Sequence, residues 1–289
     1  MRKDERPAAP AEAAPAEAAP RAEGSPSAAA VAVPASELKA VNAFSAGYQV
    51  LSELSVAFPE RRTSVVMGGT GSGKSALLKA AAGLLQPGSG SVEFRGVDMA
   101  RFSRKDEAEF RAKSGFVFQD AALWSDTTIL GNVSMPLSLH KPWMGRSDAA
   151  EAVRLILKRL GYEGGMAMRP ADLSSGEQKM ASIARAVVHD PDIVFMDDPA
   201  VGLDEDATEQ LFGLIEELES RGKTMIIVTN ASEFAYRFAD MLGIIRDGRI
   251  VAFGPYEETL ARAEREPELR LERLKARGIR AARKRRESL

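Results

Sequence analysis

The feature of this sequence that most constrains its fold is the octapeptide GGTGSGKS, which occupies Gly68–Ser75. It lies between a strand-like segment, TSVVM at Thr63–Met67, and a helix-like segment that begins at Ala76. Here the glycines let the backbone turn tightly and direct N–H groups at phosphate oxygens, Lys74 neutralises the outer phosphates, and the Ser75 hydroxyl is a ligand for Mg²⁺. The strand before and the helix after disfavour the alternative of an ordinary Gly/Ser-rich turn. The sequence therefore predicts a phosphate-binding loop that holds ATP or GTP. Its residues are Gly68, Gly69, Thr70, Gly71, Ser72, Gly73, Lys74 and Ser75.

Composition limits the function classes that remain. The chain has 289 residues, of which 45% are hydrophobic, enough for one sizeable core with a subdomain. A formal net charge of −2 argues against a surface that binds nucleic acid as a whole, so we expect no nucleic-acid partner. The absence of cysteine excludes disulfides and cysteine metal sites. No apolar run approaches the roughly 18 to 20 residues that span a bilayer, so a role at a membrane requires a partner.

The two ends of the sequence differ in composition from the middle. Residues 1–36 are rich in Ala, Pro and Glu and lack the apolar stretch of a secretory signal. Such a segment has too little apolar surface to offset the entropy of ordering, so we predict a disordered extension. Residues 261–289 are basic and predict a helical tail. A solvated helix is favoured there over a contact with an anionic membrane or a partner.

Strand-like and helix-like patterns alternate between these ends. Strand patterns occur in QVLSELSVAF, GSVEF, TSVVM, DIVFM, TMIIVT and LGIIRDG. Helical periodicity fits Lys74–Leu85, Asp148–Leu160, Gly176–Val188 and Asp206–Ser220. The alternation predicts an α/β domain with a mostly parallel sheet, preceded by an antiparallel β subdomain. The helix-rich stretch from about 98 to 188, which lies between two core strands, predicts an inserted helical subdomain.

A second chemical feature is the pair of carboxylates that ends the apolar run DIVFMDDP. In P-loop proteins the acidic residue at the end of such a strand faces the Mg²⁺ held by the P-loop hydroxyl, and Asp197 is the candidate here. The neighbouring Asp198 is placed to orient or deprotonate the attacking water. Taken alone, two aspartates after a strand form a turn or a helix cap more often than a metal site. The P-loop favours the metal interpretation.

A third segment, LSSGEQKMASIARAVVHDPD at Leu173–Asp192, resembles the signature segment of ABC-type ATPases, usually written LSGGQ. The resemblance extends over further motifs in the family's order: FVFQD with its Q-loop glutamine Gln119, the Walker B strand VFMDD, and the D-loop DPAVGLD that ends at Asp204. It implies an ABC ATPase domain over residues 37–260, with its helical subdomain at about 98–188. It also implies that Gln119 takes part in catalysis and in Mg²⁺ binding.

The family resemblance also implies an assembly. In ABC ATPases the signature loop binds the γ-phosphate held by a second chain, so Ser174, Ser175 and Gly176 together with Asp204 would contact ATP across a homodimer. The donors at a helix N-terminus suit an anion, and Ser174 is at the same time an ordinary N-cap. The resemblance further implies a separate membrane permease, with this chain peripheral on the cytoplasmic face of the inner membrane.

Two positions depart from the family pattern on the hydrolytic side. Asp198 stands where the family has a catalytic Glu, and Asn230 replaces the switch histidine. The shorter carboxylate is retracted, and a misplacement of about 1 Å costs roughly 10²-fold in rate. Asn230 still donates a hydrogen bond but carries no imidazolium charge. We therefore hypothesise normal binding of Mg·ATP and slow hydrolysis. Ser175, in place of a signature glycine, is a milder change.

In this family, an aromatic residue shortly before the first strand stacks on the adenine base of ATP. The segment AFSAGYQVL offers Phe44 and Tyr48, of which Phe44 fits the usual spacing slightly better. Either ring is alternatively an ordinary core or edge residue. The two histidines, His140 and His189, are not spaced for a metal site, and we expect surface or capping roles for both.

The segment at Phe116–His140 resembles the Q-loop region of ATPases that serve mammalian-cell-entry (MCE) type lipid transporters. That resemblance implies lipid transport and an MCE-type lipid-binding partner. Lipoprotein-releasing ABC ATPases share its NV-x-x-PL stretch and remain an alternative. Trp124, Trp143 and Met135 are candidates for the groove that receives a permease helix, although core packing is the default explanation for each. A soluble ABC clamp without a permease stays open, whereas a GTPase lacks its NKxD-like segment here.

Overall fold

The computed structural model describes residues 33–162 and 164–265 of the chain. Most of the predicted disordered extension, and the predicted basic tail beyond Arg265, lie outside the described residues. Strands and helices alternate along the described part. The strands are β1 (Ser36–Ser45), β2 (Tyr48–Phe58), β3 (Thr63–Met67), β4 (Ser89–Phe94), β5 (Val97–Asp98), β6 (Ser114–Val117), β7 (Ile193–Asp197), β8 (Thr224–Thr229), β9 (Met241–Arg246) and β10 (Arg249–Pro255). The helices are α1 (Lys74–Ala81), α2 (Arg104–Lys113), α3 (Ile129–His140), α4 (Arg146–Arg159), α5 (Ser175–Val187), α6 (Glu205–Ser220), α7 (Ser232–Phe238) and α8 (Tyr256–Arg265).

Two sheets organise these elements. A four-stranded antiparallel sheet has the order β2-β1-β4-β5, and a six-stranded sheet has the order β10-β9-β3-β8-β7-β6. Within the larger sheet β9, β3, β8, β7 and β6 run parallel, and only β10 at the edge is antiparallel. The predicted α/β fold, with a mostly parallel sheet and an antiparallel β subdomain, is therefore confirmed.

The central strands separate two cores. Alternate side chains of β3 point to opposite faces, as the period of a strand requires, so Val65 and Met67 join one cluster and Val66 joins the other. The first cluster lies under α3 to α7, and the second packs α1 against the four-stranded sheet. All residues of β3, β7 and β8 are buried, which matches their near-continuous apolar sequences. Among the described residues, no helix combines the length and the apolar composition that crossing a membrane requires.

The folded domain is wider than the predicted limits of 37–260. Ser36, assigned to the extension, begins β1, is fully buried, and donates its hydroxyl to the Ala81 carbonyl at 3.1 Å. At the other end Ala263, assigned to the tail, is buried with Ile244 because α8 packs on β9 and β10.

The stretch from 98 to 188 is not helical throughout. β6, which lies inside it, pairs with β7 and forms one edge of the six-stranded sheet. Its four residues, SGFV, do not alternate between apolar and polar side chains, so they lack the period of a half-buried strand. Gly115 lets β6 approach α5, because a Cβ there would collide with the carbonyl of Ala186.

His189 is buried rather than exposed, contrary to the expectation of a surface role. Its Nε2 hydrogen-bonds the Ser114 carbonyl at 3.2 Å, and the His140 ring lies 5.4 Å away between centroids. Burial lowers the pKa of His189 to about 4, against about 6.5 in an unfolded chain. Between these values the unfolded chain binds a proton here that the folded chain does not, so acid weakens the fold.

We expect His189→Gln to flatten the pH dependence of stability, because glutamine keeps a donor for Ser114 and does not titrate. Between pH 6.5 and 4.5 the slope of the unfolding free energy should fall by up to about 1.4 kcal/mol per pH unit relative to wild type. Urea unfolding at several pH values measures this slope. Parallel curves for the two proteins would contradict the assignment.

Candidate nucleotide site

Four loops meet at the carboxyl ends of the parallel strands in the six-stranded sheet. The loop Gly68–Ser75 follows β3, Asn230 follows β8, and Gln119 comes two residues after β6. Asp197 is the last residue of β7, and Asp198 follows it. Ligand sites of parallel sheets lie at the carboxyl ends of the strands, where these four loops are. A cavity of about 380 Å³ opens there and is lined by Thr70–Ser75 of the loop together with Gln119, Asp198 and Asn230.

The backbone of the Gly68–Ser75 loop has the shape of an anion cradle. Gly71 and Gly73 have φ values of +75° and +99°, which L side chains rarely adopt. A Cβ at Gly73 would also come within 2.7 Å of the Val50 carbonyl. The Ser72 hydroxyl is buried without a hydrogen-bond partner in the part of the chain that the structure describes. The loop therefore fits a phosphate group, which offers acceptors for such donors.

Lys74 begins α1 and is buried at the bottom of this cradle. Its ammonium donates to the carbonyls of Gly68 and Gly69 at 3.0 and 2.9 Å. Burial lowers the pKa of Lys74, and the carboxylates of Asp198 and Asp197 act in the opposite direction. The cation is thus held at the loop by dipoles and by the acidic end of β7.

Ser75 and Asp197, the two candidate Mg²⁺ ligands, lie side by side. The Ser75 hydroxyl donates to Asp197 Oδ1 at 3.0 Å, although the two residues are 122 positions apart. Burial raises the pKa of Asp197, an effect that the hydrogen bond from Ser75 opposes. A hydroxyl and a carboxylate beside a phosphate cradle are the donor set that Mg²⁺ takes in such sites. Gln119 lines the same cavity and offers a third oxygen.

Asp198 adopts a left-handed backbone with φ of +40°. Its N–H donates to the Val228 carbonyl at 2.9 Å, and its Oδ1 accepts from the backbone N–H of Asn230 at 3.3 Å. The carboxylate is therefore turned toward the loop that follows β8. Asn230 contributes its backbone to this bond, and both residues line the cavity.

The predicted signature residues lie at the N-terminus of α5 and do not line the cavity of their own chain. Ser174 is the N-cap and forms a capping box with Glu177, so the capping interpretation is confirmed. A Cβ at Gly176 would lie 3.2 Å from the carbonyl of Gly202, so the signature and the D-loop are neighbours. The Asp204 carboxylate caps α6 by accepting from Ala207 N–H at 2.8 Å.

The two candidate aromatic residues for base stacking occupy the β1–β2 hairpin. Phe44 is 54% exposed and Tyr48 is 77% exposed, so neither is a core residue. Tyr48 pairs directly with Ser45, which lines the cavity, and directly opposed residues share a face of the sheet. The Phe44 ring lies toward Gly88 instead. This register favours Tyr48, whereas the sequence spacing favours Phe44.

Core packing is wrong as an explanation for both tryptophans. Trp124 and Trp143 are 55% and 79% exposed, and Leu139 of α3 is also exposed. Met135 is half-buried on the same helix. These side chains give the segment before, within and after α3 an apolar surface.

Sequence reasoning missed Lys179, which is 2% exposed on α5 and donates to the backbone that carries Gln119. The helical pattern could have revealed it. Lys179 lies four residues before Ile183 and therefore on the same face of α5, which is otherwise apolar and buried. A lysine on such a face is almost never left unpaired.

Comparisons with known proteins agree with this geometry. The family model described as "ABC transporter" matches residues 51–201, which are 151 of the chain's 289 residues. The phospholipid transport ATP-binding protein MlaF of Haemophilus influenzae is 32% identical over 212 residues, which cover 73% of this chain and 80% of MlaF. The macrolide export ATP-binding/permease protein MacB of Paracoccus denitrificans is 37% identical over 205 residues. This match covers 71% of the chain but only 30% of MacB.

A solved structure resembles the chain closely. It is the dimeric post-hydrolysis state of the ATP-binding cassette MJ0796 bound to ADP and Pi. It superposes with a TM-score of 0.71 at 28% identity, over 76% of this chain and 98% of that one. The motifs, the fold and these matches lead to one conclusion: the chain belongs to the ABC transporter family and is an ATP-binding domain of that family.

Proposed function

We propose that this chain binds Mg·ATP and hydrolyses it as one half of a dimer that drives a membrane permease. The observation that carries the proposal is the cavity in which the Gly68–Ser75 loop, Gln119, Asp198 and Asn230 come together. Each of these groups follows a different strand, so the fold itself assembles them.

Each residue has a chemical role in this proposal. Ser75 and Asp197, with Gln119, would hold Mg²⁺, which neutralises phosphate charge when it is bound. Lys74 and the backbone N–H groups of the loop bind the phosphates. Asp198 orients the attacking water, and Asn230 donates to the γ-phosphate. Because Asp198 is short and bonded to the Asn230 backbone, we propose slow turnover.

In this proposal a single chain has no signature loop at its own nucleotide, and the second chain of the dimer supplies one. Ser174, Ser175 and Gly176 are exposed or half-buried and lie outside the chain's own cavity. A second copy would place its helix N-terminus against the γ-phosphate, where the dipole favours an anion. The dimeric state of the MJ0796 structure supports this arrangement. The neighbouring D-loop, with Asp204 capping α6, would lie at the same interface.

We further propose that Tyr48 stacks on the adenine. Tyr48→Ala should raise the Kd for ATP by about 5- to 150-fold, since base–aromatic stacking contributes about 1–3 kcal/mol. Phe44→Ala is the matched control and should change the Kd by no more than about twofold. Titration with a fluorescent ATP analogue measures both constants. A larger loss in Phe44→Ala than in Tyr48→Ala would contradict the assignment.

For the transported substrate we propose lipid, moved by a permease with an MCE-type lipid-binding partner. The similarity to MlaF and the exposed apolar surface of Trp124, Leu139 and Trp143 support a permease contact beside α3. In this arrangement the chain is peripheral on the cytoplasmic face of the inner membrane. The similarity to MacB favours a second candidate, an exporter of the macrolide or lipoprotein-release type.

Affinity purification of the full chain from detergent-solubilised membranes tests the permease contact. We expect a multi-span protein to co-purify, with phospholipid bound to it or to an MCE-type protein, and Trp143→Asp to abolish the capture. Asp148→Lys, on the first turn of the neighbouring α4, controls for an unrelated charge change. If the only co-purifying partner were a soluble protein, the chain would instead be a soluble ABC ATPase that acts on another assembly without a permease.

A further inference from the structure

A buried cation joins the signature helix to the backbone that carries Gln119. Lys179 lies on α5, and its ammonium donates to the carbonyls of Phe118 and Gln119 at 2.6 and 2.9 Å. These two carbonyls are 61 and 60 positions away in the sequence. The contact therefore links the loop after β6 to a helix that belongs to a distant part of the chain.

A second cation of α5 continues the same contact. Arg185 donates to the carbonyls of Ala122 and Ala121 at 2.8 and 3.2 Å. Two side chains of one helix thus hold four carbonyl groups of Phe118–Ala122, which we call the Gln119 segment. Ala122 has a left-handed backbone with φ of +47°, so the segment is bent where Arg185 binds it.

The Lys179 contact is costly to break because its ammonium is almost fully buried. A buried ammonium is stable only when dipoles or opposite charges surround it. The carbonyls of the segment supply the dipoles, and Asp197, Asp198 and Asp120 supply attracting charge. The lysine is therefore surrounded by groups of the nucleotide site on one side and is anchored in α5 on the other.

We propose that Lys179 is a positioning residue: it sets the place of Gln119 at the nucleotide cavity and makes the Gln119 segment move together with the signature loop. This inference rests on the proposed ATPase function. Lys179 lies three residues after Gly176, within one turn of the signature loop. Because a helix is stiff, a displacement of Gln119 at one nucleotide is carried to the N-terminus that faces the nucleotide of the other chain.

The first test needs no nucleotide. Hydrogen exchange of the full chain should show at least about tenfold faster exchange in the Gln119 segment for Lys179→Met, and a rate within about threefold of wild type for Lys179→Arg. Ile183→Val is the matched control, because it trims a buried side chain on the same helix and leaves both cations in place, and its segment should exchange like wild type. Unchanged exchange in Lys179→Met, or an equal increase in Ile183→Val, would overturn the proposal.

The second test separates positioning from loss of structure. Lys179→Met should lower kcat for ATP about tenfold or more with KM within about twofold, and Lys179→Arg should restore most of kcat. In a Gln119→Ala background the same substitution should have no further effect on kcat, because it acts through Gln119. Additive losses would overturn the proposal. A wild-type chain that binds no ATP would instead contradict the proposed function, and the exchange test would still decide the role of Lys179.

Discussion

Lys74→Ala is expected to lower kcat/KM for ATP by about 10²- to 10³-fold, which is the usual cost of removing one hydrogen-bond donor that stabilises a developing anion. The reason is geometric, because the ammonium sits at the loop carbonyls of Gly68 and Gly69, at the bottom of the cradle. Steady-state ATPase assays measure the loss of turnover, and nucleotide titration measures the loss of ATP affinity.

Lys113→Ala is the charge-matched control for Lys74→Ala. Lys113 pairs with Glu109 on the exposed face of α2, away from the cavity. We expect its kcat/KM to stay within about twofold of wild type. An equal loss in both variants, or full activity without Lys74, would contradict the placement of phosphates in the loop.

Asp198→Glu is expected to raise kcat by about 10- to 100-fold, because the longer side chain carries its carboxylate past the bond to the Asn230 backbone. Asn230→His should add to this gain by supplying a group that carries positive charge. The gain has a structural cost, since φ at residue 198 is +40° and aspartate tolerates the left-handed region better than glutamate. We therefore expect Asp198→Glu to be less stable than wild type by up to about 1–2 kcal/mol.

Asp198→Asn is the matched control for the carboxylate. It keeps the size of the side chain but removes the base, so the remaining turnover should fall by about 10²-fold or more. The assays belong on the assembled complex. Fast wild-type ATP hydrolysis that Asp198→Glu does not increase would contradict the hypothesis that Asp198 and Asn230 slow hydrolysis.

The sequence predicted the parts of the site that depend on local pattern. Gly68–Ser75 is flanked by β3 and α1 as the periodicity indicated, and the apolar run before Asp197 forms β7. These elements are recognisable because a buried parallel strand is a continuous apolar run and because glycines mark the turn. Because β6, β7 and β8 are neighbouring parallel strands, the residues that follow them, Gln119, Asp198 and Asn230, come together at the carboxyl ends of the strands.

The parts that the sequence did not predict depend on long-range contacts. Lys179 is an ordinary lysine in sequence, and only the packing of α5 on the loop after β6 gives it two carbonyl partners. His189 is likewise buried by its neighbours rather than by its local composition. β6 has no alternating pattern to recognise. The choice between Phe44 and Tyr48 depends on the register of the β1–β2 hairpin, which spacing alone does not set.

Sedimentation velocity with Mg·ATP tests the central claim, that two chains share their nucleotides. The full chain carrying Asp198→Asn, which retains ATP, should double in mass when Mg·ATP is added. In that background Ser174→Asn keeps a good N-cap and should still dimerise. Ser174→Asp still accepts the Glu177 N–H bond of the cap but loses the hydroxyl bond to the Glu177 carboxylate. Because its charge repels the γ-phosphate, it should remain monomeric with ATP bound. A chain that stays monomeric at saturating Mg·ATP, or a dimer that is indifferent to Ser174→Asp, would contradict the account.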